Sequence, residues 1–232
     1  MASVKFKDQL DAANKLIEIL PKKELNDAKT IVLCMSLESV ILTDVVCRGL
    51  NLSYEMLFSE PIPAPNNSEC DVAIVSETED IVLNDPLIKA FNISYDYIYG
   101  EAHRKYEEKI LKNVYKYRKG NLIGELKGKN ILLIDEGCET GMTELICIKT
   151  LLDVKVKSIS YATPMIATDV FANLNDMVDE IYTINKIVDF IDVDSYYEKK
   201  IEATSERIMS ILEESPHYLP LQKQQGDKNN AI

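Results

Sequence analysis

The sequence predicts an α/β protein in which a central parallel sheet is flanked by helices. Two apolar runs of strand length, Ile31 to Met35 and Asn130 to Ile134, are each followed by a polar turn and then by a helical pattern. Further strand and helix patterns alternate toward the carboxyl end of the chain. At 232 residues the chain is long enough to bury one sizeable core, which favours a single α/β domain with a side element over two full domains.

Each element has its own signal. Phe6, Leu10, Ala13, Ile17 and Leu20 recur at four- and three-residue steps, predicting an opening helix that stops before Pro21. Asp8, Asp11 and Glu18 lie among those apolar residues, so the segment reads as an amphipathic helix and not as a signal peptide. Ile31 to Met35 form a buried strand, Ser36 to Ser39 a turn, and a helix follows to about Leu50. Leu52 to Phe58 make a second strand. Pro61, Pro63, Pro65, Asn66 and Asn67 mark a loop, and Val72 to Val75 a third strand. Between Glu77 and Gly120 the alternation lapses. A short strand at Ile81 to Leu83, a short helix at Pro86 to Phe91 and a long helix at Ser94 to Lys119 suggest an insertion, a hood over a binding site at about 77–120. After the strand Asn130 to Ile134 come a helix to about Asp153, a strand at Val156 to Ala162, a helix at about Ala167 to Leu174 and a strand at Glu180 to Ile184. A final helix is expected from about Asp194 to Leu212, its apolar face formed by Tyr197, Ile201, Ile208 and Ile211. The domain is expected to span 1–213, with a disordered tail at 214–232 that includes His217.

The most informative segment runs from Asp135 to Thr143, between the strand at Asn130 and the helix that follows. Parallel α/β sheets bind ligands at such strand-to-helix turns. Thr140, Gly141 and Thr143 at a helix start offer backbone N–H groups and two hydroxyls, and the helix dipole favours a phosphate there. Asp135 and Glu136 would repel a bare phosphate but accept hydrogen bonds from a sugar diol or hold the water shell of Mg²⁺. A sugar carrying a 5-phosphate satisfies both halves. The plainer alternative is that Thr140 or Thr143 caps the helix.

This arrangement, apolar residues followed by two acids, three variable residues and Thr-Gly-x-Thr, resembles the phosphoribosyl-pyrophosphate (PRPP) signature of type I phosphoribosyltransferases. The resemblance implies the type I phosphoribosyltransferase fold, a central parallel sheet flanked by helices with a hood insertion. Fainter likeness to a bacterial subgroup extends over about residues 5–200, through Phe6 to Ala12, Glu79 to Asn84 and Asp194 to Tyr197, with Gln9 where the subgroup has Arg. By resemblance Asp135 and Glu136 contact the ribose hydroxyls and serve catalysis, while Glu139, Thr140, Gly141, Met142 and Thr143 cradle the 5-phosphate. The implied reaction is Mg²⁺-dependent transfer of ribose 5-phosphate from PRPP to a nitrogenous base. The implied partner is PRPP or a nucleoside monophosphate, and a homodimer is left open.

One segment departs from that pattern. Where the subgroup carries a Pro-Arg-Gly-Gly turn for pyrophosphate, this chain has Ser36-Leu37-Glu38-Ser39. Leu37 brings no charge and Glu38 brings the wrong one, although the chemistry needs small residues and a cation as pyrophosphate leaves. Arg104 and Lys105 in the hood are candidate replacements. They are equally a solvated helix face among Glu101, Glu107 and Glu108. Tyr95, Tyr97 and Tyr99 suit base stacking or ordinary packing. The departure keeps a second reading in play, a non-catalytic regulatory or scaffold protein that binds PRPP or a nucleotide.

Composition narrows the field. A net charge of −12 argues against a general nucleic-acid surface or an anionic membrane. Five cysteines without metal-type spacing and two histidines suggest reduced thiols and a cytoplasmic protein. Cys138 lies inside the acidic turn, where a helix start lowers thiol pKa, although most such cysteines are small filler. The longest apolar stretch, Thr30 to Val46, is broken by Ser36, Glu38, Ser39 and Asp44, too polar for a membrane span.

Overall fold

The structure is a computed structural model and describes residues 5–222. In chain order the elements are α1 (Gln9–Ile19), α2 (Lys22–Asp27), β1 (Ile31–Cys34), α3 (Val40–Leu50), β2 (Ser53–Met56), β3 (Ser59–Ala64), β4 (Asn67–Ser76) and β5 (Ile81–Leu83). They continue with α4 (Asp85–Ala90), α5 (Tyr95–Lys105), a π turn (Tyr106–Ile110) and α6 (Leu111–Arg118). The last are β6 (Asn130–Ile134), α7 (Met142–Val154), β7 (Ser158–Ala167), α8 (Thr168–Asn175), β8 (Glu180–Ile187) and α9 (Ser205–Glu214).

The expected central sheet is present, with five strands in the order β2-β1-β6-β7-β8, all parallel. Its strands are apolar on consecutive residues because both faces are covered. Val32, Cys34, Leu132 and Ile134 face the core shared with α1 and α3. Leu33, Ile131 and Leu133 face α7 and α8. Helix α1 sits close on α3: a Cβ on Gly49 would fall 2.6 Å from Ile17 Cδ1. Its buried face is Ala12, Ala13 and Leu16, and Leu10, expected inside, is 52% exposed. The spacing of Leu10 fitted the stripe, but the seam against α3 lies one residue further round. Among the described residues no helix is long and apolar enough to cross a membrane.

The hood is larger than its sequence pattern suggested. It holds a second sheet, β3-β4-β5, antiparallel throughout, so it begins at Ser59 and not near residue 77. Pro61 and Pro63, expected in a loop, lie inside β3, which is an edge strand with register shifts at Ile62/Pro63 and Pro63/Ala64. Edges and bulges are the places in a sheet that tolerate proline. The long helix forms as expected, as α5 and α6 joined by the π turn, burying Ile98, Ala102, Ile110, Val114 and Tyr117. The hood is fastened to the sheet domain. Thr150 Oγ1 on α7 donates to Ser76 Oγ at 3.1 Å, and Lys149 Nζ donates to the Ile81 carbonyl at 3.1 Å.

The chain's last part also differs from its pattern. In place of one helix from Asp194 there are a 3-10 turn at Asp194–Tyr196, an extended stretch, and α9, capped by Thr204 accepting from Arg207 N at 3.3 Å. The helix is interrupted because Tyr197 pairs with Phe6: Phe6 N donates to the Tyr196 carbonyl at 2.9 Å and Glu198 N to the Phe6 carbonyl at 2.8 Å, with both rings buried. The segment from 214 to 222, expected to be disordered, is packed. Tyr218 is fully buried, its hydroxyl donates to the Tyr117 carbonyl at 3.1 Å, and Tyr54 N donates to the His217 carbonyl at 2.9 Å. The remainder of the expected tail lies outside the described residues.

A buried ion pair lies inside the hood, between the end of α6 and the end of β4. Arg118, at the end of α6, is 0% exposed, bonds to Glu77 and lies 4.9 Å from the centre of the Phe58 ring. Glu77 also accepts from Phe58 N at 3.0 Å. Removing one partner leaves a charge in the core, at a cost of about 3–5 kcal/mol. Arg118→Met should therefore destabilise the protein by that amount in urea unfolding, and Arg118→Met with Glu77→Leu by distinctly less. A double variant as unstable as the single one would show that the ion pair itself contributes little and that packing is what was lost.

Candidate functional site

The sheet order reverses at β1, whose neighbours in the sheet, β2 and β6, lie on opposite sides of it. Ligands of open α/β sheets bind at the carboxyl ends of strands beside such a reversal. Cys34 is in register with Ile134, so both strands end at the same level and their following turns meet. The Ser36 hydroxyl lies 2.8 Å from Glu136 Oε2 and 3.2 Å from Asp135 Oδ1. Tyr197 closes the far side, donating its hydroxyl to the Glu136 carbonyl at 2.7 Å. The two candidate acids and the turn after β1 thus form one cluster.

The rest of the turn is pinned from below. Cys138 N donates to the Met165 carbonyl at 3.0 Å and Ala167 N to the Cys138 carbonyl at 2.9 Å, so the turn pairs with the end of β7 and makes that strand longer than its pattern. Cys138 itself is buried, and burial with the nearby Glu144 carboxyl pushes its thiol well up. A reactive or redox-sensitive thiol is therefore not what this position holds. Beneath the turn Glu144 is buried and accepts from the Tyr161 hydroxyl at 2.8 Å. Nothing in the sequence pattern distinguished Glu144 from a surface helix acid.

Gly141 sets the start of α7. Its φ is +75°, and a Cβ there would stand 2.8 Å from Val170 Cγ1, so both conformation and space require glycine. Leu145 N reaches the Gly141 carbonyl at 2.9 Å, but no side chain caps the helix. Thr140 Oγ1 is 3.5 Å from Met142 N, at the long limit of a hydrogen bond. The plainer expectation, a threonine present merely as a cap, is met only by this long contact from Thr140. Glu139 and Thr140 are exposed, and Met142 and Thr143 are half-buried.

A cavity of about 390 Å³ opens between this turn and the hood, lined among others by Ser36, Glu38, Thr140 and Thr143 on one side and Phe58, Glu60, Asp71 and Asn113 on the other. The hood residues were missed in the sequence because β3 read as a proline loop. The Ser36 to Ser39 turn is closed on itself: Ser39 N donates to Ser36 Oγ at 2.9 Å, Ser36 N to Ser39 Oγ at 3.4 Å, and Val40 N to the Leu37 carbonyl at 3.4 Å. Gln9 holds it from behind, donating to the Glu38 carbonyl at 2.6 Å. Those amides are spent within the turn. Arg104 does not serve the cavity, being bound to Glu101 and Glu108 on an exposed helix face. Lys105 is 3.9 Å from Glu60 Oε2 and stands nearer. Tyr95 and Tyr99 are exposed and stack on each other, while Tyr97 donates to the Pro63 carbonyl, and none lines the cavity.

The site is electrostatically uncompensated. Burial, reinforced by Glu136 and Glu144, lifts Asp135 well above the usual carboxylate range. Among the described residues no group of three metal-type side chains is assembled, so Mg²⁺ at Asp135 and Glu136 would need oxygens from a ligand to complete its shell, its habit in phosphate sites.

No protein-family model and no curated protein matches the chain. Among solved structures it is similar to the TT1426 protein of Thermus thermophilus, at 24% identity over 91% of this chain and 99% of that one, with a TM-score of 0.72. That likeness is one of fold. Weaker matches include a hypoxanthine phosphoribosyl transferase of Trypanosoma cruzi, at 11% identity over 81% of this chain and 79% of that one with a TM-score of 0.45. A purine phosphoribosyltransferase from Pyrococcus horikoshii matches at 13% identity over 83% and 98%, with a TM-score of 0.40.

Two outcomes test this geometry. Gly141→Ala should destabilise the protein by about 1–3 kcal/mol from its left-handed backbone alone, with the Val170 clash added. Val170→Ala in that background should recover only the clash, as read by urea unfolding; full recovery would mean the backbone is not strained. For Asp135 the folded value lies above the unfolded one near ~3.9, so the folded protein holds the extra proton and loses stability as pH rises past it. Asp135→Asn should then melt higher than the parent at pH 7, the gain fading toward about pH 4. A variant that melts lower at pH 7 would contradict burial as the dominant effect.

Proposed function

We propose that this chain, which has the type I phosphoribosyltransferase fold, binds a ribose 5-phosphate compound such as PRPP or a nucleoside monophosphate at the Asp135 to Thr143 turn. The observation that carries the reading is the uncapped start of α7 at Gly141, beside paired acids at the point where the sheet order reverses. Thr140 to Thr143 supply backbone N–H groups and hydroxyls to the phosphate, in an otherwise acidic protein. Asp135 and Glu136 accept from the ribose diol. Mg²⁺, held by Glu136 and Asp135 together with oxygens of the ligand, would supply positive charge to a polyphosphate.

Transfer of ribose 5-phosphate to a nitrogenous acceptor is the weaker half of the proposal. Pyrophosphate leaving at the turn after β1 would meet Glu38 and amides already bonded within the turn. Losing one charge-assisted contact of about 1.5–3 kcal/mol slows such a step roughly ten- to hundredfold. That favours the second reading, a binding protein with little or no turnover.

Calorimetry with ribose 5-phosphate, inorganic phosphate and PRPP, each with Mg²⁺, tests both. The parent should bind ribose 5-phosphate more tightly than phosphate. Asp135→Asn should lose about 1.5–3 kcal/mol on ribose 5-phosphate and little on phosphate. Turnover with PRPP and a panel of bases should be slow or absent. Equal losses on both ligands would remove the assignment of Asp135 to the diol, and ordinary turnover would show that another cation, with Lys105 the nearest, receives pyrophosphate.

A further inference from the structure

The hood is attached to the sheet domain in two places. On the α7 side Thr150 meets Ser76 and Lys149 meets the Ile81 carbonyl. The second attachment is made by the chain after α9, which lies along the outer edge of β2. There Tyr54 N donates to the His217 carbonyl at 2.9 Å, and Tyr54 forms a parallel bridge with Tyr218. The Tyr218 ring is fully buried, 5.2 Å from the Tyr54 ring. Its hydroxyl donates to the carbonyl of Tyr117, in the last turn of α6, at 3.1 Å. One side chain therefore spans from the edge of the central sheet to the long helix of the hood.

This contact leads on to the cleft. The Tyr117 ring lies 6.2 Å from the Phe58 ring, and the next residue, Arg118, lies over that same ring at 4.9 Å. Phe58 lines the cavity between the hood and the Asp135 to Thr143 turn, and so does Asn113, one turn before Tyr117 on α6. A displacement at the end of α6 is thus passed to two residues of the cavity lining. The segment itself has little backbone to hold it. Among the described residues it forms one isolated bridge to β2, and the rest of its hold is the buried Tyr218 side chain. Segments with few backbone bonds open locally at a fraction of the cost of global unfolding.

We propose that residues 215–218 are a latch that sets the position of the hood over the cleft, with Tyr218 as the residue that fastens it. When the latch opens, the α7 contacts remain as the hinge and the cavity widens at Phe58. The latch does not depend on what the cleft binds.

Amide hydrogen exchange of the intact protein tests it, with Tyr218→Ala and Tyr218→Phe beside the parent. Tyr218→Ala should speed exchange at least about tenfold in α6 and around Phe58, leaving β6 and β7 as they are in the parent. Tyr218→Phe, which keeps the ring and removes one hydrogen bond, should speed the same amides by less. Calorimetry with ribose 5-phosphate should show at least about threefold weaker binding in Tyr218→Ala. Equal acceleration in every element would make Tyr218 an ordinary core residue and overturn the latch, as would unchanged exchange in α6. Local loosening with unchanged ribose 5-phosphate affinity would overturn its reach to the cleft. Absence of ribose 5-phosphate binding in the parent, with the local exchange pattern as expected, would remove the phosphate assignment and support the latch.

Discussion

Parallel pairing between β1 and β6, with Cys34 level with Ile134, ends two buried strands at one height and brings their turns within hydrogen-bonding range. The Ser36 hydroxyl reaching Glu136 at 2.8 Å is the direct result. Because β2 lies on the other side of β1, no crossover covers that gap, and the cleft stays open to a ligand. The remaining architecture serves this opening. The end of β7 holds Cys138 in place beneath the turn, Gly141 bends the chain into α7, and the hood sheet roofs the space.

The same geometry concentrates negative charge. Asp135, Glu136, Glu38, Glu60 and Asp71 stand in or beside one cleft, with Lys105 as the near cation. A phosphate there depends on backbone donors at the α7 start, a local positive field that does not require basic side chains. At the turn after β1 the amides of Ser36, Ser39 and Val40 are already bonded within the turn. Donors and carboxylates therefore share one cleft, Thr140, Thr143 and Asn113 lining the same cavity as Glu38, Glu60 and Asp71.

Much of the sheet domain was legible because its strands are apolar on successive residues and are bounded by clear turns, as with Ile31 to Cys34 and Asn130 to Ile134. The turn from Asp135 to Thr143 was legible for a related reason: paired acids, glycine and threonines at a strand-to-helix junction are an uncommon combination. The hood sheet was hidden, since Pro61 and Pro63 break a strand signal unless the strand is known to be an edge. The cavity acids Glu60 and Asp71 were hidden with it. Arg118 was overlooked because a charged residue near a helix end normally faces solvent, and only tertiary packing shows its burial beside Glu77 and Phe58. Tyr197 and the residues after Leu212 were misread for a similar reason: a helical spacing of apolar residues does not reveal that Phe6 and Tyr54 supply backbone partners from the other end of the chain.

In the proposed function the α7 start holds the phosphate of a ribose 5-phosphate ligand. Amide chemical shifts of isotope-labelled protein, followed during titration with ribose 5-phosphate and Mg²⁺, test it most directly. The amides of residues 140–143 should shift first and furthest, saturating together with those of Asp135 and Glu136. Saturable shifts confined to another part of the fold, with the 135–143 turn unmoved, would contradict it.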